Sequence, residues 1–99
     1  MGIISEECQS VLTDYGGYRL KYELLETDPG EEGQRPYYGI RICQKREADM
    51  MIFDFCQIPG VTEELNEARA LFKKAVEGLV MPVSLPDLID DWQSFMQMI

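Results

Sequence analysis

Histidine is absent from this 99-residue sequence. Its absence removes the commonest general base and the usual ligand of a catalytic zinc. It also excludes Ser–His and Cys–His nucleophile pairs. Basic residues are scarce, nine Lys and Arg against 18 Asp and Glu, for a formal charge of −9. They form no stripe of the kind that neutralises nucleic-acid phosphates or docks on anionic lipid. Neither direct nucleic-acid binding nor membrane binding is expected. Cysteine is limited to Cys8, Cys43 and Cys56, an odd count with no CxxC spacing. A disulfide framework and a zinc knuckle are thereby excluded, and packed, reduced thiols in a cytoplasmic protein are expected. No apolar run approaches the length of a membrane span. The opening "MGIISEECQS" has no basic segment leading into an apolar one, so it does not read as a signal peptide. Glu6 stands where a myristoylation motif needs Ser or Thr.

What is present is a globular composition, 45% hydrophobic and 27% charged, of a size that supports one core rather than two. A single domain over residues 1–99 is expected. Its first half alternates with period two. In "YRLKYELL" (18–25), Tyr18, Leu20, Tyr22 and Leu24 share one face, and Arg19, Lys21 and Glu23 share the other. A strand over about 3–13 precedes it, and the Asp14-Tyr15-Gly16-Gly17 turn joins the two as a hairpin. "TDPGEEGQRP" (27–36) is a loop. A third strand is expected over 37–45, with Tyr38, Ile40 and Ile42 opposite Arg41 and Cys43. "READ" (46–49) reads as a polar turn, and a fourth strand spans about 49–58 before Pro59-Gly60 ends it.

The second half changes to the helical period. Thr62 is placed to cap a helix over about 62–79, with Leu65, Ala68, Phe72, Ala75, Val76 and Leu79 as its stripe and Gly78 as its stop. Ser84, Pro86 and Asp87 form a capping-box start for a second helix over about 85–98. Its apolar face runs Leu85, Leu88, Ile89, Trp92, Phe95, Met96 and Ile99. These pieces predict an α+β fold, a four-stranded, mostly antiparallel sheet (ββββ) followed by two helices packed on one face. A meander is the simplest strand order.

Asp87, Asp90 and Asp91 in "DLIDDW" share the helix side away from Leu88, Trp92 and Phe95. All three fall in the first two turns, where unpaired N–H groups favour negative charge, so they read as solvated helix-start residues rather than a metal or acid/base site. Asp28, Glu31 and Glu32 lack EF-hand spacing, and the glycines form neither a GxGxxG nor a P-loop pattern. No catalytic residue, metal or cofactor is assigned.

Strand four, "MMIFDFCQI", is apolar on nearly both faces. Strict alternation puts Met51, Phe53 and Phe55 on one face and Met50, Ile52 and Cys56 on the other. Two helices cover only one sheet face, so the remaining apolar face is expected to meet a protein partner or a second copy of the chain. Met50, Ile52, Cys43 and Arg41 are the candidate interaction residues. Cys43 and Cys56 fall on strands where they could approach each other, and Arg41 or Lys45 could lower the pKa of Cys43. A non-enzymatic interaction or regulatory module is the primary expectation. An acidic decoy for a nucleic-acid-binding protein, using the acids at 23–32 and 87–91, is one alternative. A small carboxylate-dependent enzyme is another.

The succession of "YYGIRI", an acidic strand, a Glu/Lys helix and "MPVSLPDLIDDW" resembles a small family of uncharacterised proteins of clostridial and related Gram-positive bacteria. The closing motif of that family is matched at Val80, Pro82, Leu85, Asp87, Ile89, Asp91 and Trp92. Pro86 departs from it. The likeness spans about residues 18–95 and implies a bacterial source but no catalytic residue, since the family carries no assigned activity.

Overall fold

A computed structural model describes residues 1–14, 16–30 and 32–97. Four strands, β1 (Gly2–Thr13), β2 (Gly16–Thr27), β3 (Tyr37–Arg46) and β4 (Ile52–Thr62), are followed by α1 (Leu65–Glu77). A single 3₁₀ turn (Pro82–Ser84) then leads directly into α2 (Leu85–Gln97). The sheet is an antiparallel meander in the order β1-β2-β3-β4, and the fold is α+β. Tyr15 of the predicted hairpin turn, Glu31 of the acidic loop and Ile99 of the last apolar face lie outside the described residues.

The period-two pattern determines which face is buried. Leu20, Tyr22 and Leu24 of β2 and Tyr38, Ile40 and Ile42 of β3 meet Ala68, Leu71, Phe72 and Ala75 of α1, with Leu85 and Ile89 of α2. Each fully buried large apolar side chain contributes roughly 1.5–3 kcal/mol, so this inner face dominates the folding energy. The Tyr22 hydroxyl donates to the Val80 carbonyl at 3.1 Å, tying the middle of the sheet to the segment after α1.

Burial, and to a smaller extent the nearby Tyr18, pushes Tyr22 up to about 12 from 10.0. A raised folded value means that the neutral phenol stabilises the fold fully below pH 10.0, and that this contribution disappears as pH rises towards about 12. Between those limits wild type should lose on the order of 2 kcal/mol that a Tyr22→Phe variant does not lose. Urea titrations at stepped alkaline pH would test this, and parallel pH curves for the two proteins would contradict it.

Several element ends differ from the sequence expectation, each for a local reason. Pro59-Gly60 does not stop β4. The strand bulges there and continues to Thr62, since Tyr38 pairs with Thr62 while Ile40 pairs with Ile58. Thr62 does not cap α1, which begins at Leu65. Its hydroxyl instead accepts the Glu64 N–H (3.1 Å) and donates to Glu67 Oε2 (3.0 Å), closing the corner between β4 and the helix. The left-handed residue ending α1 is Leu79 (φ 50°), one position beyond Gly78, which keeps a right-handed φ. Val80 N–H to Ala75 O and Leu79 N–H to Val76 O form the Schellman pair. The Ser84 capping box does not form, because Ser84 belongs to the 3₁₀ turn and its N–H bonds to Met81 O.

The β3–β4 connection runs one residue longer than "READ". Arg46 and Met51 pair through the backbone, Asp49 accepts from the Met51 N–H and from the Arg46 guanidinium, and Met50 takes φ 57°. A left-handed conformation costs a side-chain-bearing residue about 1–2 kcal/mol, so Met50→Gly is expected to stabilise the fold by about 0.5–1 kcal/mol net of the chain entropy glycine adds. A lower denaturant midpoint for the variant would show that Met50's side chain, not its backbone, governs the turn.

Candidate interaction surface

The outer face of the sheet is built by the alternate set of β2 and β3 residues. The register places Glu6, Glu23, Arg41 and Gln57 in one row across the four strands, and Cys8, Lys21, Cys43 and Phe55 in the next. Lys45 then faces Ile52. Because Gln44 pairs with Asp54 while Lys45 pairs with Ile52, Phe53 is an extra residue in β4. This bulge breaks the alternation. Ile52 and Phe55, three residues apart, share the outer face, whereas Cys56 opposes Ile42 and packs against the core. Neither of the two strict alternations expected for strand four is realised.

The four candidate residues therefore reach the same region with different accessibility. Ile52 is 63% exposed, and Met50 is exposed in its turn. Cys43 is buried among its neighbours in the sheet. Arg41 is engaged: its Nε and Nη2 donate to the two oxygens of Glu23, each at 2.8 Å, and its Nη1 donates to Gln57 (3.2 Å). The Glu23 side chain is only 5% exposed. The Arg41 hydrogen bonds hold its carboxyl below the usual carboxylate range despite burial, and Glu23 in turn raises Arg41. Looser pairs flank this one, Lys21 with Glu6 at 3.7 Å and Arg19 with Glu47 at 3.8 Å.

The cysteines do not come together. Cys43 faces outward and Cys56 inward, and Cys8 is separated from Cys43 by the whole of β2, about 10 Å of strand spacing. Burial, with Asp54 adding to it, pushes the Cys56 thiol up, which opposes a thiolate role there. Asp87, Asp90 and Asp91 are exposed on α2, and among the described residues no group of His, Cys, Asp and Glu is disposed to hold a metal ion.

Two features escaped the sequence pattern. The first is Phe55, 52% exposed on the outer face, which becomes an outer residue only through the bulge. The second is a trough of about 370 Å³ at the end of the inner face beyond the helices, bounded by Tyr18, Gln44, Arg46, Ala48 and Phe53. Gln44 interrupts the apolar series Tyr38, Ile40, Ile42, and that polar break was the available signal. Among the described residues, no helix is long and apolar enough to cross a membrane.

Residues 1–94 match a family of unknown function, DUF6514. The chain belongs to this family. The match takes in all four strands and almost all of α2, so this DUF6514 chain is one family unit with its outer face included. No curated protein and no solved structure matches it.

Proposed function

We propose that this chain is a non-enzymatic protein-interaction module of the bacterial cytoplasm, acting through the outer face and edge of β4. The observation that carries this reading is the exposure of Ile52 and Phe55 on the outer face of β4, an edge strand, with Met51 exposed just before it. Water-exposed apolar side chains clustered on one strand are more costly than scattered ones, and an edge offers unpaired backbone groups to a partner. The outer-face cations support recognition less than the apolar residues do, because Arg19, Lys21 and Arg41 each have a carboxylate partner. The enzyme alternative has little support in the disposition of the acids, since Glu23 is bound to Arg41 and the α2 aspartates are open to water.

The test is capture from lysate with wild type and with an Ile52→Asp/Phe55→Asp variant, both verified as folded by circular dichroism. Light scattering would run alongside to register a second copy as the partner. A stoichiometric partner, or a dimer, lost only from the variant is the expected result. Identical captures by the two proteins would overturn the surface, and no association of any kind would overturn the reading. The exposed Asp87, Asp90 and Asp91 favour the acidic decoy as the second reading, whose mark is a basic partner released by moderate salt and indifferent to the β4 substitutions.

A further inference from the structure

We propose that the trough at the uncovered end of the inner face binds a small, flat, uncharged heteroaromatic ring. That ring carries a hydrogen-bond donor and acceptor side by side, as a nucleobase edge or an aromatic carboxamide does. This site lies on the opposite face from the β4 surface and does not depend on that reading.

The inner face of β2 and β3 extends beyond the helices, and no helix residue borders the trough. Its volume of about 370 Å³ falls within the range of small-molecule sites. Tyr18 and Phe53 contribute aromatic rings to its lining, Phe53 arriving there because the β4 bulge takes it out of the outer-face alternation. The decisive group is Gln44. It is only 8% exposed as a residue and borders the trough, and among the described residues the buried side-chain polar atom without a partner is Thr27 Oγ1, so the Gln44 amide atoms are open to solvent on the trough side. A glutamine amide presents N–H and C=O side by side, so one cis donor–acceptor edge satisfies both at once. The nearest cation does not call for an anion, because Arg46 is already held by Asp49 at 2.7 Å. The chain's net charge of −9 also disfavours one. An aromatic lining, an amide open to the trough and a cation already paired with Asp49 together favour a neutral ring with an amide-like edge.

The experiment is a ¹⁵N-detected titration of the full chain with adenine and nicotinamide, with purine as the matched ring lacking the exocyclic amine, both purines methylated at N9 so that no ring N–H adjoins N3. Shifts confined to Gly17, Tyr18, Phe53 and the Gln44 side-chain NH₂ are expected, with adenine binding more tightly than purine. Gln44→Leu, close in volume, should fold normally and weaken adenine by about tenfold. Phe53→Ala should weaken adenine and purine alike. Equal binding of adenine and purine, or undiminished adenine binding by Gln44→Leu, would overturn the role of the amide. No shift up to the solubility limit, or shifts elsewhere on the chain, would overturn the site. Concentration-dependent shifts of the same residues without ligand would show a second copy filling the trough instead.

Discussion

Gly39→Ala is expected to destabilise the fold by at least about 3 kcal/mol. At the Pro59-Gly60 bulge the β4 backbone passes over Gly39, so a Cβ added there would lie 2.1 Å from the Ile58 carbonyl oxygen and 2.4 Å from the carbonyl carbon and oxygen of Pro59. These are backbone atoms, and no rotamer change relieves the overlap. Either β4 lifts from β3 or the bulge rearranges, and both outcomes disturb Thr62, whose hydroxyl forms the corner leading into α1. Steric insertion into a packed region costs about 1–3 kcal/mol when side chains can yield, and a rigid backbone overlap exceeds that. Against a typical domain stability of about 5–15 kcal/mol, a shift of at least about 3 kcal/mol in urea denaturation is the expected reading. Gly2→Ala is the control, since a Cβ there meets nothing within 4 Å, and it should be neutral. A Gly39→Ala protein as stable as the control would mean that β4 does not cross β3 in this way.

The contrast between Gly39 and the core shows what was legible in the sequence. Leu20, Tyr22, Leu24, Ile40 and Ile42 disclosed their common face through spacing alone, and the connections were short enough to imply a meander. The Tyr38-Gly39-Ile40 string was visible as part of the family likeness, but its reason was not. The backbone that crowds Gly39 arrives about 20 positions later, and only the register brings the two together. The same nonlocal cause hid the outer position of Phe55, because a bulge shifts alternation by one residue without a composition signal of its own. Met50 and Leu79 occupy left-handed positions where sequence rules look for glycine, so the tight turn at Met50 and the C-terminal end of α1 were displaced by a residue. Of the four candidate interaction residues, the outward direction of Arg41 and Cys43 was readable from alternation. Their low availability was not, since it depends on the carboxylate of Glu23 opposite Arg41 and on close packing around Cys43.

Arg41→Met should destabilise the fold by about 3–5 kcal/mol, because it leaves Glu23 buried without its cation. The reason is the asymmetry of a buried pair. Glu23 has lost its water and recovered two charge-assisted hydrogen bonds from one guanidinium, so removing the cation forfeits the compensation but not the desolvation. A Glu23→Met/Arg41→Met protein, which removes both charges, should recover nearly all of the loss or exceed wild type. The pH dependence follows with a definite sign. Because the folded carboxyl is held below its ordinary 4.5, the pair stabilises fully above that value and loses its contribution as acid protonates Glu23 through its lower folded value. Wild type should therefore lose this increment below about pH 4.5, and the doubly substituted protein should lack that component of the acid slope. Urea midpoints for the two single variants and the double variant, at neutral pH and at pH 3, complete the cycle. If Arg41→Met proved no worse than the double substitution, Glu23 would have to find water in the folded state and the outer face would be open at its centre. The same set of proteins separates structure from recognition. The double variant keeps the exposed Ile52 and Phe55 side chains while removing Arg41, so a partner retained by it is bound by the apolar edge, and a partner lost from it requires the guanidinium.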